Sequence, residues 1–295
     1  MSAKIVAFIN FKGGVGKTAN VVNLGAYLAA DFNKKVLVVD LDAQSNTTFW
    51  LLQPMVWRER IEDRKRTTYQ IFADGVDGSE HFDFDQAVIQ GAPRDGNNVG
   101  LIPNLHLLPA SIGLIEVEAR ILEHKNARTW LYLRRQIVPH RARYDYIFLD
   151  CPPNIFAVVK NALCCADAYI VPYNSDYLSL SGFRLFANEL RSFRKYLAKH
   201  DPRASLAQIK GIIINRFRQR GNVYGEAIDQ LEFQLNGLRE DGLVDPTANI
   251  LEPYIRDCTG VAGSADDHLP VNLYRSHSIG AQDYQALAAN FIQVI

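Results

Sequence analysis

No stretch of this chain constrains it more than Asn10-Phe11-Lys12-Gly13-Gly14-Val15-Gly16-Lys17-Thr18. The apolar run Ile5 to Ile9 precedes it and reads as a buried strand; a helical pattern with Val21, Leu24, Gly25 and Leu28 on one face starts directly after it. A strand, a glycine-rich turn and a helix N-terminus in that order make a phosphate cradle. Glycines let backbone N–H groups converge on an anion, the helix dipole adds positive potential, and Lys17 is placed to reach terminal phosphates. Thr18 offers a hydroxyl for a magnesium ion. Two lysines beside this turn repel each other without an anion between them, so a ligand-free glycine turn is the poorer reading.

Two further strands aim carboxylates at the same place. Val36 to Val39 ends in Asp40-Leu41-Asp42-Ala43-Gln44, closing a β-loop-α-β unit over residues 4 to 42. Carboxylates at the C-terminal end of a parallel strand face the crevice that holds the loop. One such aspartate alone reads as a cap or turn residue; two after a phosphate loop read as a site. Tyr146 to Asp150 is a second hydrophobic strand ending in an aspartate, followed by Cys151-Pro152-Pro153. Cys151 has neither a base nor a second cysteine near it in sequence, which argues against a nucleophile or cluster ligand.

Composition sets outer bounds. The 295 residues fit one large α/β domain or two small ones, and a 48% hydrophobic, 22% charged composition is ordinary for a globular chain with a large core. Four cysteines without a C-x-x-C pair read as reduced cytoplasmic thiols. No apolar run approaches a membrane span, and strand residues begin too early for a signal peptide. Lysine plus arginine and aspartate plus glutamate both number 32, so nucleic acid would have to meet a local patch rather than a global field.

The remaining elements are read in order. Trp57 to Arg66, with RERIEDRKR from Arg58, reads as a solvated helix face, and residues 74 to 104 as loops around short helices. Leu105 to Leu108 is a strand leading to Pro109-Ala110-Ser111, with helical patterns to about Arg143. A strand from Ala168 to Tyr173 leads to a helix from about Ser179 to Lys199. Its Arg184, Arg191, Arg194, Lys195 and Lys199 read first as a solvated face opposite Leu185, Phe186, Leu190 and Phe193. Gly211 to Ile214 is a strand running into Asn215-Arg216-Phe217-Arg218-Gln219-Arg220. A helix from about Tyr224 to Leu238, a short strand near Ile250 and the loop Pro253-Tyr254-Ile255-Arg256 follow.

KGGVGKT departs from the general G-x-x-x-x-G-K-[ST] pattern, since Phe11 stands where the first glycine belongs and Lys12 opens the motif. Together with DLDAQ and DCPP, it resembles the deviant P-loop of the ParA/MinD ATPases, and the likeness runs from Lys4 to the end with a gap of about fifty residues after Leu51. Residues 51–105 are then an elaboration of that family. The resemblance implies a single P-loop domain, α/β, with a mostly parallel sheet and helices on both faces. It implies ATP held by Gly13, Gly14, Val15, Gly16, Lys17, Thr18 and Ala19, with Asn215 reading adenine and Arg216 and Pro253 beside it. It makes Thr18, Asp40 and Asp150 the magnesium residues, Asp42 the residue that positions the attacking water, and Lys12 the lysine that reaches a partner subunit's ATP. Ala43 replaces the family proline.

Within that group the resemblance implies a ParA-type partition ATPase. Such a protein forms a homodimer with ATP, binds double-stranded DNA nonspecifically and is switched by an adaptor that stimulates slow hydrolysis, at the nucleoid in the cytoplasm. Arg220 falls where the family contacts DNA, Arg218 adds charge, and Arg256 follows in the later loop; pairing with nearby acids such as Glu226 or Asp257 is their bland alternative. The tail after Arg275 has no lysine or arginine, unlike a MinD-type membrane helix, and no cysteine precedes Cys151 for a cluster-bearing reductase. No N-terminal helix-turn-helix domain is expected. Positioning of a protein cargo or microcompartment, and a metabolic ATP-dependent synthetase, are the competing expectations.

Overall fold

Along β1 (Lys4–Phe8) the residues Ile5 and Ala7 belong to one core and Val6 and Phe8 to the other, and all four are fully buried. A strand buried on both sides needs helices on both sides. The computed structural model describes residues 2–62, 64–123, 127–174, 177–201, 206–218 and 222–295. Its sheet of eight strands runs β3-β4-β2-β5-β1-β6-β7-β8. The others are β2 (Val36–Asp40), β3 (Ile89–Gln90), β4 (Leu105–Leu108), β5 (Tyr146–Asp150), β6 (Ala168–Asn174), β7 (Ile209–Asn215) and β8 (Asn249–Leu251). All neighbouring pairs are parallel except β3 with β4. The fold is therefore the expected single α/β domain.

The helices Lys17–Ala30 and Ile279–Val294 cover one face through Leu24, Leu28, Tyr284, Leu287 and Phe291. The helices Thr68–Asp77, Leu114–Glu123, Ala157–Cys165, Tyr177–His200 and Asn222–Glu240 cover the other. On Tyr177–His200 the residues Phe186, Leu190 and Phe193 are buried as expected, whereas Leu185 points outward, 69% exposed.

The hard-to-read segment is more regular than expected. The run starting at Trp57 belongs to a helix, Pro54–Glu62, and Trp57 turns inward with its ring 4.9 Å from that of Phe49. Thr68–Asp77 is a true helix closed by Gly78 at φ 70°, and Asp74 accepts the N–H groups of His81 and Phe82 to hold the chain that leaves it. The two-residue β3 is too short to show any period.

Parallel crossovers bring the carboxyl end of every strand but the antiparallel β3 to one edge. There β1 opens into the glycine loop, and Asp150 of β5 lies in register with both Phe8 of β1 and Asp40 of β2. Asn215 ends β7 on the other flank.

Candidate active site

Asn10 sets the entry to the glycine loop. Its Nδ2 donates to the Pro172 carbonyl of β6 and its Oδ1 accepts the Lys12 N–H, both at 2.9 Å. Gly14 and Gly16 adopt φ of 73° and 92°, a region glycine enters freely. A Cβ on Gly16 would also lie 2.9 Å from Asn215 Nδ2. Helix Lys17–Ala30 starts after Gly16 without a side-chain cap, which leaves its first N–H groups to the loop. Lys17 is buried and curls back, its Nζ donating to the carbonyls of Asn10 at 3.0 Å and Lys12 at 3.2 Å. Burial holds its pKa below the usual lysine value, against the opposing pull of Asp150. Lys12 itself stands half-buried at the mouth.

The carboxylates form a buried pair. Asp150 Oδ2 accepts the hydroxyls of Thr18 at 2.8 Å and Thr47 at 2.6 Å, while Oδ1 is buried with no hydrogen-bond partner. Asp40 Oδ2 accepts the N–H and hydroxyl of Thr48 at 2.9 and 2.7 Å, and its Oδ1 accepts the Asp42 N–H at 3.1 Å. Burial pushes both carboxyls above the ordinary aspartate range. Repulsion from Asp150 adds to this at Asp40, and the Thr47 and Thr18 hydroxyls oppose it at Asp150. Asp42 is half-buried beside the pair, its Oδ1 accepting the Gln44 N–H at 2.9 Å.

On the flank of the loop away from these acids lies a cavity of about 360 Å³, lined in part by Gly16, Ala19, Asn215, Arg216, Ile255 and Trp50. Asn215 is buried and donates from Nδ2 to the Val15 carbonyl at 2.9 Å, tying β7 to the loop. Arg216 takes a left-handed φ of 53° at this wall. The stretch after β8 enters the lining at Ile255, two residues beyond Pro253.

Arg218 and Arg256 share the rim of that cavity, and each meets an acid. Arg218 bonds Asp257 Oδ2 through Nε at 2.9 Å and Nη2 at 2.8 Å, with a side chain 64% exposed. Arg256 is held harder: Nη2 meets Asp283 Oδ1 at 2.6 Å, Nε reaches both carboxylate oxygens, and its backbone N–H donates to Oδ2 at 3.0 Å. Asp257 is an acid the sequence singled out; Asp283, arriving from the last helix, is not. Arg220 lies outside the described residues.

The family model for an AAA domain matches residues 3–201. The chain is 29% identical to the sporulation initiation inhibitor protein Soj of Bacillus subtilis, across 97% of this chain and 96% of that protein. It is 27% identical to the chromosome-partitioning ATPase Soj of Treponema pallidum, across 98% and 97%. Among solved structures, cobyrinic acid a,c-diamide synthase of Mycobacterium smegmatis with an ATP analogue and magnesium superposes with a TM-score of 0.72 at 22% identity, covering 99% of this chain and 94% of that one. This chain belongs to the ParA/MinD family of P-loop ATPases.

For a ParA/MinD-family site, the residues present suit a magnesium ion. Thr18 turns a hydroxyl to Asp150, whose second oxygen is buried and unpartnered. Cys151 sits next to Asp150 but is buried, and burial raises its thiol pKa well above the ordinary value, so it is inert as a nucleophile. Among the described residues no helix is long and apolar enough to cross a membrane.

Sequence reading missed Thr47 and Thr48, the hydroxyls that hold the two aspartates. Both are fully buried on the short helix Asn46–Leu51. Their signal was a Thr-Thr pair one turn past DLDAQ, and nothing local distinguishes that from helix surface.

Proposed function

We propose that this chain is an ATPase that dimerises with ATP, binds DNA without sequence preference in that state and is released by hydrolysis, so partitioning a plasmid or chromosome. The observation that carries this reading is the gathering of Lys17, Thr18, Asp40 and Asp150 around an uncapped helix N-terminus, with a cavity roomy enough for a base across the loop. The relative from Treponema pallidum, named a chromosome-partitioning ATPase, supports the biological side.

In this reading the backbone of Gly13 to Ala19 cradles the phosphates, and Lys17 exchanges its carbonyl partners for phosphate oxygens. A magnesium ion, held by Thr18 and, through water, by Asp150, would neutralise the charge that develops on the phosphates. Asp40 stands behind Asp150 with both oxygens already accepting hydrogen bonds, so it shapes the site rather than meeting the water. Asp42 is less enclosed and orients the attacking water. Asn215 and Arg216 line the adenine side, with Pro253 leading into it.

Dimerisation draws on the strand edge. Phe11, Ile112 and Phe156 follow the carboxyl ends of β1, β4 and β5 and are 39%, 62% and 57% exposed. A second copy covering that rim would bring Lys12 to the partner's nucleotide. For DNA, Arg218 and Arg220 are the principal contacts in this reading, and Arg256, which shares the cavity rim with Arg218, supports them. A neutral chain has little long-range pull on DNA, and doubling a small arginine patch multiplies affinity through counterion release. Because arginines meeting phosphates read no base edges, sequence preference should be slight.

Filter binding on unrelated duplexes with an ATP analogue, at two salt concentrations, tests this. Binding should require the analogue, ignore sequence and weaken with salt. Absence of binding at low salt would remove the DNA reading. The likeness to cobyrinic acid a,c-diamide synthase favours a metabolic synthetase as the second reading; it would hydrolyse ATP only with an acid substrate and an amine donor.

A further inference from the structure

The short helix Asn46–Leu51 touches both halves of the site. In its first turn the Thr47 hydroxyl donates to Asp150 Oδ2 at 2.6 Å, and Thr48 gives its N–H and hydroxyl to Asp40. One turn later Trp50 forms part of the cavity wall. The far end is fastened three ways. The Trp50 indole N–H donates to the Leu269 carbonyl at 2.9 Å, the Phe49 carbonyl meets the His268 ring nitrogen, and the Leu51 carbonyl accepts the Arg94 N–H at 3.1 Å. A six-residue helix is a rod of about 9 Å. The Trp50 ring and the Thr47 hydroxyl thus sit three residues apart on one short, closely packed element.

We propose that this helix is a positioning device that couples occupation of the cavity by a purine base to the setting of Asp150, with Trp50 as the wall that meets the base and Thr47 as the arm. The inference rests on the nucleotide reading given above. Asp150 Oδ2 takes two hydroxyl donors, Thr47 and Thr18, and Oδ1 takes none. Without Thr47 the carboxylate keeps one hydroxyl donor of two, Thr18, and is held less firmly against rotation about its Cβ–Cγ bond. A base packed on Trp50 holds the helix where both hydroxyls reach Oδ2. Trp50 and Thr47 thus act through Asp150 and Thr18 and are positioning residues.

The test compares the affinity of a non-hydrolysable ATP analogue with that of inorganic tripolyphosphate, each with and without magnesium, by titration calorimetry. Trp50→Leu should reduce the magnesium enhancement for the ATP analogue by about 5-fold or more, the lower end of ordinary coupling between sites. With tripolyphosphate, which has no base, it should leave the enhancement unchanged. Thr47→Val should lower the enhancement and Thr47→Ser restore it. The double variant should fall no further than the worse single one, since both act through one link. Equal weakening of the analogue with and without magnesium in Trp50→Leu would make Trp50 a plain wall and overturn the proposal, as would additivity in the double variant. Should Trp50→Leu fail to fold, Thr47→Val decides alone. By reciprocity it must shrink the preference for ATP analogue over tripolyphosphate by a similar factor, and an unchanged preference overturns the link. Wild-type protein that binds neither ligand would overturn the nucleotide reading itself, an outcome distinct from binding without coupling.

Discussion

At the scale of single residues, Lys17 and Asp42 do separable work. Lys17 is a buried ammonium that, among the described residues, donates to backbone carbonyls of its own loop; in the proposed reading phosphate oxygens would replace them with full charge. Lys17→Ala should therefore lose ATP binding while circular dichroism stays native. Asp42→Ala should bind ATP and hydrolyse it about 100-fold more slowly, the usual size of one general-base contribution, measured as phosphate release. The two arginines of the cavity rim differ in the same manner. Asp283 is buried and takes four bonds from Arg256, so Arg256→Ala leaves a buried carboxylate short of donors. It should destabilise the fold by about 1–3 kcal/mol in a urea titration. Arg218→Ala breaks an exposed pair and should stay within about 0.5 kcal/mol. DNA-binding losses in Arg256 variants must accordingly be read against their stability, whereas those in Arg218 variants need no such correction.

Among elements, the join between the glycine loop and β7 leaves no room for a side chain at Gly16. Gly16 has a left-handed φ and no room for a Cβ beside Asn215, while Gly13 has open space and no such φ. Gly16→Ala should cost about 1–3 kcal/mol of stability and disturb the Asn215–Val15 bond, and with it base recognition. Gly13→Ala should leave thermal stability close to wild type. Differential scanning fluorimetry with and without ATP analogue separates the two. The Asn46–Leu51 helix and the strand-end loops around it have few residues of their own to hold them. Their order comes from what they touch: Asp40, Asp150, Leu269 and Arg94.

For the whole molecule, charge and burial make two statements. Zero formal net charge means that no general field opposes or favours association, so in the proposed dimer assembly would follow the nucleotide's charge and the lysine that answers it. Lys12→Ala should bind ATP analogue yet remain monomeric in light scattering; a dimer as tight as wild type would remove the trans role of Lys12. The second statement concerns acid. His106 of β4 is buried against Tyr144, and burial, with help from Lys35 and Arg143, pushes its pKa down to about 4. Unfolded histidine titrates near 6.5, so between these values the unfolded chain binds the proton and the folded chain does not. Stability present above pH ~6.5 is then lost as pH falls toward 4, by at most about 3 kcal/mol. Asp40 and Asp150, whose carboxyls burial raises, act with the opposite sign. The His106 effect should thus be read as the difference between wild type and His106→Gln in melting temperature against pH, with the variant showing the flatter acid limb.

Much of this protein is written locally. The glycine loop, the strands before Asp40 and Asp150, and the uncapped helix at Lys17 follow from runs of apolar residues, glycine placement and short-range hydrogen bonding, so sequence alone determines the α/β class and the placing of that loop between a strand and a helix. Local pattern also carries the ends of the long helices to within a few residues. What only the tertiary structure decided depends on groups far apart in the chain. Asp283 captures Arg256 from the last helix, Asn215 ties β7 to Val15, Thr47 reaches Asp150 across the sheet edge, and Trp50 lines the cavity beside Gly16 and Asn215. None of these has a periodic or compositional signature. Each is a polar or aromatic side chain whose partner is chosen by the strand order β2-β5-β1-β6-β7, and that order is set by long-range pairing that no window of neighbouring residues contains.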